Sequence, residues 1–231
     1  VLHISYFGDI INDNHLIKIL FYSLCLTALS NGLNMIDGMN GLSGFTSLSI
    51  IFCLLIIIYS LGADNTRLIS LLFLFLCILV FLIFNFPFGK IFIGNSGAYW
   101  IGWILGVSLI DIFSILKINT WSASVILFYP SMEVLFSIVR KLIQKKSPFV
   151  SDTEHLHLIV FKSICGPIQR STTFNSFTTL CLMPLWASPP ILTIIILAFP
   201  SISSIVLISM IFFYLLYYFI IPFNKIKNFI F

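Results

Sequence analysis

Residues 68–87 read LISLLFLFLCILVFLIFNFP, a run without one charged side chain. A helix rises ~1.5 Å per residue, so ~20 apolar residues match the ~30 Å hydrocarbon thickness of a bilayer. This run is therefore read as a membrane-spanning helix. Working outward, six more stretches share its character, at about 16–36, 43–62, 98–116, 121–139, 174–198 and 201–222. Pro184, Pro189 and Pro190 predict a kink or break in the sixth span. The composition agrees: of 231 residues, 59% are hydrophobic and 9% charged, against ~45–50% and ~25% in soluble domains. The expected fold is all-α, a polytopic transmembrane helix bundle of about seven spans forming a single membrane-embedded domain over 1–231. A disordered, fibrous or nucleic-acid-coating protein is excluded, and no nucleic acid is expected as a partner.

Charge supplies the orientation. There are 12 Lys and Arg against 8 Asp and Glu, and basic residues collect on cytoplasmic links. Taking alternate links as one side leaves only Lys18, Arg67 and Lys117 on the other. The regions 31–44, 85–98 and 140–173, with the C-terminus, are thus expected to face the cytoplasm. Four cysteines lie inside apolar runs and Cys165 in a polar link, with no Cys-x-x-Cys pair, so neither a disulfide framework nor a zinc site is read.

The polar chemistry falls in those three cytoplasmic regions. In the first, Asn31, Asn34, Asp37 and Asn40 recur every three residues among Gly38, Gly41 and Gly44. On a helix that spacing brings them to neighbouring faces. A ligand site is one reading; a helix exit with Asn and Asp caps and glycine turns is the other. In the second, Lys90 precedes Gly94-Asn95-Ser96-Gly97, a turn leading into the span expected near 98. Free N–H groups at a helix start attract anions, although a tight re-entry turn accounts for the same residues. Gly102 and Gly106 further along are read as helix packing.

The third region, 140–173, is read as a His-containing loop. Arg140, Lys141, Lys145 and Lys146 precede His155 and His157. Two histidines at this spacing point together only in an extended segment and diverge on a helix. Imidazoles among basic groups suit a phosphate-bearing ligand, the alternative being a solvated loop on anionic headgroups. Glu133 lies within the fifth span, two turns before Arg140 and on the same face. It needs a polar cavity or a partner.

In this order, the three segments resemble the polyprenyl-phosphate N-acetylhexosamine-1-phosphate transferases, the family of phospho-N-acetylmuramoyl-pentapeptide transferase. The nearer likeness is to the bacterial undecaprenyl-phosphate GlcNAc-1-phosphate transferase branch, which starts O-antigen and other cell-surface glycans. The family's N-x-x-N-x-x-D-G-x-D/N-G-L motif appears as Asn31 to Leu42. Its F-P-x-x-K-x-F-x-G-D-x-G-S/A motif appears as Phe86 to Ala98, and its S-P-F-x-x-D-x-x-H-x-H loop as Ser147 to His157. The likeness runs from about residue 20 to 222.

The resemblance implies transfer of HexNAc-1-phosphate from a UDP-N-acetylhexosamine to a polyprenyl phosphate. The reaction would take place at the cytoplasmic face of a bacterial inner membrane. By the same resemblance Asp37, His155 and His157 are candidate catalytic residues. Asn31, Asn34, Asn40, Lys90, Gly94, Gly97 and Arg140 bind substrate, and Asp37 with Asn95 takes up Mg²⁺ or Mn²⁺. The oligomeric state is open, a homodimer being one option.

Two departures stand out. The family's acidic Asp-Asp-x-x-Asp/Lys motif, tied to Mg²⁺, has no counterpart, and Asn95 stands where the family usually has a metal-binding Asp. The chain is expected to be a C-terminal portion lacking N-terminal spans, inactive by itself. Two rivals remain open. One is a non-catalytic relative with a binding or scaffold role. The other is a transporter, which would place more polar residues at mid-depth than the spans contain.

Overall fold

The structure is a computed structural model describing residues 13–62, 64–147, 154–165 and 172–230, with side chains as far as residue 220. Residues 148–153 and 166–171, and the side chains of Lys225 and Lys227, lie outside the described residues. Among the described residues ten helices follow in order: α1 (His15–Ile36), α2 (Leu42–Leu61), α3 (Asn65–Asn85), α4 (Gly94–Ile115), α5 (Thr120–Ile126), α6 (Phe128–Ile143), α7 (Leu156–Cys165), α8 (Thr172–Cys181), α9 (Met183–Ala198) and α10 (Ser203–Ile230), with a 3₁₀ turn at Pro200–Ile202. No strand occurs among the described residues. The all-α bundle is borne out.

Local chemistry sets the helix ends. Asn14, Asp64 and Asn119 each accept first-turn N–H groups of α1, α3 and α5 through their side chains. Gly62, at φ 73°, closes α2 with its N–H on the Ile58 carbonyl, a left-handed position where glycine is unstrained.

Among the described residues six stretches are long and apolar enough to cross a membrane, α8 and α9 together making one, and the bent α5–α6 pair raises the number to seven. Two details differ from the sequence expectation. The fifth span is not one straight helix but α5 and α6, bent by 82° at Leu127. Pro130 is the cause: it has no N–H, and its ring excludes a helical carbonyl four residues back, at Ile126, where α5 stops. In the sixth span the break comes at Leu182, before Pro184, while α9 continues through Pro189 and Pro190. The carbonyl of Trp186, which Pro190 cannot serve, accepts the Ser49 hydroxyl from α2 at 2.9 Å. A neighbouring helix thus replaces the missing donor.

Helix α2 is the central post, burying Ile50, Ile51, Leu54, Ile57 and Ile58 against α3, α4 and α9. Helix α1 packs on α4 and α6, and α10 on α5 and α7. Small residues let backbones meet: a methyl on Gly32 would lie 2.3 Å from the Pro130 carbonyl oxygen, and one on Gly102 2.6 Å from Ser30 Cα. The bend at Leu127 is thereby seated on α1, and Gly102 does serve packing. Large apolar side chains such as Phe73, Leu76 and Phe212 face outward, as a lipid-facing surface requires.

Candidate active site

The turn between α1 and α2 interlocks with the segment between α3 and α4. Asn85, buried at the end of α3, accepts the Gly41 N–H at 2.5 Å and donates to the Ile91 carbonyl at 2.7 Å. Asn40 donates to the Pro87 carbonyl and to Ser176 Oγ, both at 3.1 Å. Its backbone N–H bonds Asn175 at 2.5 Å and its carbonyl takes the Thr179 hydroxyl at 2.7 Å. Gly89 must be glycine for this seat: its φ is 59°, and a methyl there would lie 2.7 Å from Asn40 Oδ1. Two distant segments are thus fixed on one end of the bundle by buried amides.

Asp37 follows α1 directly. Its carboxylate accepts the Ser43 hydroxyl and lies beside the backbone N–H of Gly94, the first residue of α4. The expected turn at 94–97 is therefore already the first turn of α4. A carboxylate at a helix N-terminus meets free N–H groups and the positive end of the helix dipole. Burial pushes the Asp37 carboxyl above its ordinary range, and these two donors oppose that. Asn95 is exposed beside this contact.

The histidines arrive from the other side. Part of the stretch read as a loop is helix α7, with Leu156, His157 and Val160 buried. His155 stands just before it, its carbonyl accepting the Ile159 N–H at 3.0 Å. The two rings stack parallel, centroids 5.7 Å apart and 5° between planes, rather than diverging. His155 lies outside the helix, so the helical rotation between the two positions does not apply. His155 Nδ1 is 3.2 Å from Glu133 Oε2 of α6, both side chains buried. His157 reaches the first segment: a methyl on Gly38 would lie 3.0 Å from its Nε2. Arg140 secures this approach. Its guanidinium donates to the Glu154 carbonyl at 2.9 Å, the Glu154 carboxylate at 2.7 Å and Tyr218 Oη at 3.0 Å.

Burial pulls His157 down to about 4, aided by neighbouring His155 and opposed by Glu133. An unfolded histidine takes a proton near pH ~6.5, which the buried ring refuses until about 4. Stability should therefore fall as pH drops through that window, by up to about 3 kcal/mol. His157→Gln should flatten the decline, as read by thermal unfolding in detergent at pH 7 and pH 5. An equal loss in both proteins would assign the slope elsewhere.

Residues 2–113 match the model of a family described as glycosyl transferase family 4. The family resemblance of the motifs is borne out. The matched stretch holds Asn31 to Gly97, whereas Arg140, His155 and His157 lie beyond it, and His157 reaches Gly38 only through the fold.

Relatives agree. The chain is 29% identical to the undecaprenyl-phosphate alpha-N-acetylglucosaminyl 1-phosphate transferase of Thermotoga maritima, over 71% of this chain and 48% of that protein. It is 29% identical to a probable undecaprenyl-phosphate N-acetylglucosaminyl 1-phosphate transferase of Bacillus subtilis, over 58% and 38%. It is 32% identical to the phospho-N-acetylmuramoyl-pentapeptide-transferase of Dictyoglomus thermophilum, over 66% and 48%. The chain spans about half or less of the length of these curated relatives. No solved structure matches it.

The site residues read from sequence separate into two sets. Asp37, Gly94, Asn95 and His157 cluster around Gly38 and the start of α4, with His155 stacked behind. Asn40 and Arg140 are bound into the scaffold instead. Asn34 donates to Tyr99 Oη at 3.3 Å, and Asn31 to the Thr27 carbonyl of its own helix at 2.8 Å. Asn31 also lines a groove of about 690 Å³ between α1 and α4 with Tyr99, Trp100 and Trp103. Lys90 is exposed, 5.7 Å from the Phe88 ring centre. Sequence reasoning missed Asn85, Ser43 and the α8 trio Asn175, Ser176 and Thr179. The trio had a signal: Asn175, Ser176 and Thr179 share one helical stripe in the polar first half of the sixth span, TTFNSFTTLC.

Proposed function

We propose that the protein to which this chain belongs transfers HexNAc-1-phosphate from a UDP-N-acetylhexosamine to a polyprenyl phosphate. The observation that carries this is one junction: the Asp37 carboxylate lies beside the Gly94 N–H while Gly38 abuts His157. It joins three segments into a rim of one carboxylate, helix N–H groups and imidazoles. Such a rim suits phosphoryl transfer, where positioning and charge neutralisation do most of the work. The names of the relatives support the same reading.

In the reaction an oxygen of the lipid phosphate forms a bond to the β-phosphorus of the donor. The bond from that phosphorus to the bridging oxygen breaks, and UMP leaves with the electron pair. His155 and His157 would meet phosphate oxygens, and the first turn of α4 would offer its N–H groups. Lys90, exposed on the same segment, adds a positive charge for the donor. Lys90 and the basic run of Arg140, Lys141, Lys145 and Lys146 favour the cytoplasmic face of a bacterial inner membrane.

No group of three His, Cys, Asp or Glu able to hold a metal occurs among the described residues. One carboxylate and one amide nevertheless fit Mg²⁺, which keeps waters and relies on substrate phosphates for much of its shell. Asp37 and Asn95 would hold it. When bound, Mg²⁺ or Mn²⁺ would neutralise charge on the phosphates.

The test is transfer of labelled HexNAc-1-phosphate to polyprenyl phosphate in membranes holding the complete protein. Asn95→Asp should tighten Mg²⁺ about tenfold, worth ~1.4 kcal/mol, and raise transfer at limiting Mg²⁺. No transfer by the complete protein favours the non-catalytic relative. Full activity that Asn95→Asp abolishes would remove position 95 from the metal site.

A further inference from the structure

Glu133 is 1% exposed on α6, in a helix whose other buried positions are mostly apolar or neutral. A carboxylate there is costly unless something pairs with it. One oxygen, Oε2, faces His155 Nδ1 at 3.2 Å. The hydroxyls of Tyr129 and Tyr214 lie beside the same carboxylate, yet neither hydroxyl closes a hydrogen bond, nor does Oε1. The histidine is thus its one bonded partner among the described residues. The bend at Leu127 aims this part of α6, and Gly32 of α1 locks it by close contact with Pro130. Arg140, seven residues further along, fastens the residue before His155 through Glu154. Two points of one helix therefore hold the histidine segment, one by its backbone and one by its ring.

We propose that Glu133 is a positioning residue: its carboxylate accepts the Nδ1–H of His155, sets that ring parallel to His157, and leaves His155 Nε2 as the ring nitrogen that meets a substrate phosphate. The inference rests on the proposed transfer. A carboxylate fixes both the orientation and the tautomer of an imidazole, because Nδ1 must carry the proton that it donates. Without it the ring is free to flip, and the common tautomer with its proton on Nε2 returns. Glu133 touches no substrate in this arrangement. It acts through His155.

The experiment uses the complete protein in detergent or native membranes, with ¹⁵N-labelled histidine. His155 is assigned by the signal lost in His155→Gln. In the unaltered protein His155 should carry its proton on Nδ1. Glu133→Leu, which removes the acceptor but fills the space, should move the proton to Nε2. The same variant should lower kcat roughly 10- to 100-fold with KM for the UDP-sugar within about twofold. Glu133→Gln should recover part of kcat, its amide oxygen accepting the same N–H, and it decides the matter if Glu133→Leu does not fold. A proton on Nε2 in the unaltered protein, or an unchanged kcat in both variants, overturns the proposal. A loss of kcat that merely follows the loss of folded protein makes Glu133 structural and overturns it too. If the unaltered protein transfers nothing, the proposed function fails, while the nitrogen signals still decide the pairing.

Discussion

Asp37→Asn should reduce transfer roughly 10³-fold while leaving the amount of folded protein unchanged. The two parts of this expectation have separate grounds. Asp37 sits in a turn, partly exposed, with the Ser43 hydroxyl bonded to it and the Gly94 N–H beside it. An amide oxygen can still accept one of them, so the turn survives with a modest loss. The negative charge does not survive, and Asp37 is the carboxylate at this junction beside Gly38 and His157. A divalent cation between phosphates needs that charge more than it needs an oxygen atom. Transfer of labelled sugar phosphate by membranes, normalised to folded protein, reads the activity. Retained transfer would make Asp37 a cap for α4 and nothing more. A parallel loss of folded protein would make it a structural clasp.

The two sets of site residues show what a chain of this kind discloses before folding. The spans are legible because lipid selects on average hydropathy over ~20 residues, and such averages survive local irregularity. For the same reason the average hides the break at Leu127: a window across 121–139 is apolar whether or not the helix bends. Pro130 was visible in the sequence, but its consequence depends on Gly32, nearly a hundred positions away, offering a seat. The grouping of the three polar segments was legible from charge and order. Their internal division was not. Asn40 and Asp37 look alike in a repeat of three, yet one faces the buried amides and hydroxyls of α8 and the other the start of α4. Arg140 looked like a phosphate ligand, and the fold gives it Glu154. A residue's type shows what it can bond, whereas its partner is settled by helices that meet only in three dimensions. Glu133 illustrates this best. Its need for a partner was evident, but His155, twenty-two positions on, became that partner because α7 packs against α8 and α10 and the residue before it then faces α6.

Asn40→Asp should destabilise the protein at neutral pH by about 3–5 kcal/mol, although the resembled motif accepts either residue at this place. Asn40 is 2% exposed, and its Nδ2 donates in two directions, to the Pro87 carbonyl and to Ser176 Oγ. A carboxylate has no proton to give. It would set an oxygen at about the Nδ2 position, 3.1 Å from the Pro87 carbonyl oxygen, a buried charge facing a partial charge of the same sign. The Ser176 hydroxyl could turn to it only by leaving Pro87, which it now also serves. Protonation would relieve the conflict, since a carboxylic acid donates once. The folded pKa of the new Asp must then lie above the ordinary ~3.9, so the folded state holds a proton that the unfolded state gives up. The destabilisation is therefore greatest above that raised pKa and shrinks as pH falls below it. Thermal unfolding in detergent at pH 7.5 and pH 5, compared with the unaltered protein, reads both the size and the sign. An unchanged midpoint at pH 7.5 would show that the turn relaxes around the charge, and the clamp by α8 would then be weaker than its geometry implies. Asp at this place becomes tolerable only where a second donor stands in for the Pro87 carbonyl, so residue 40 and the wall around it have to change together.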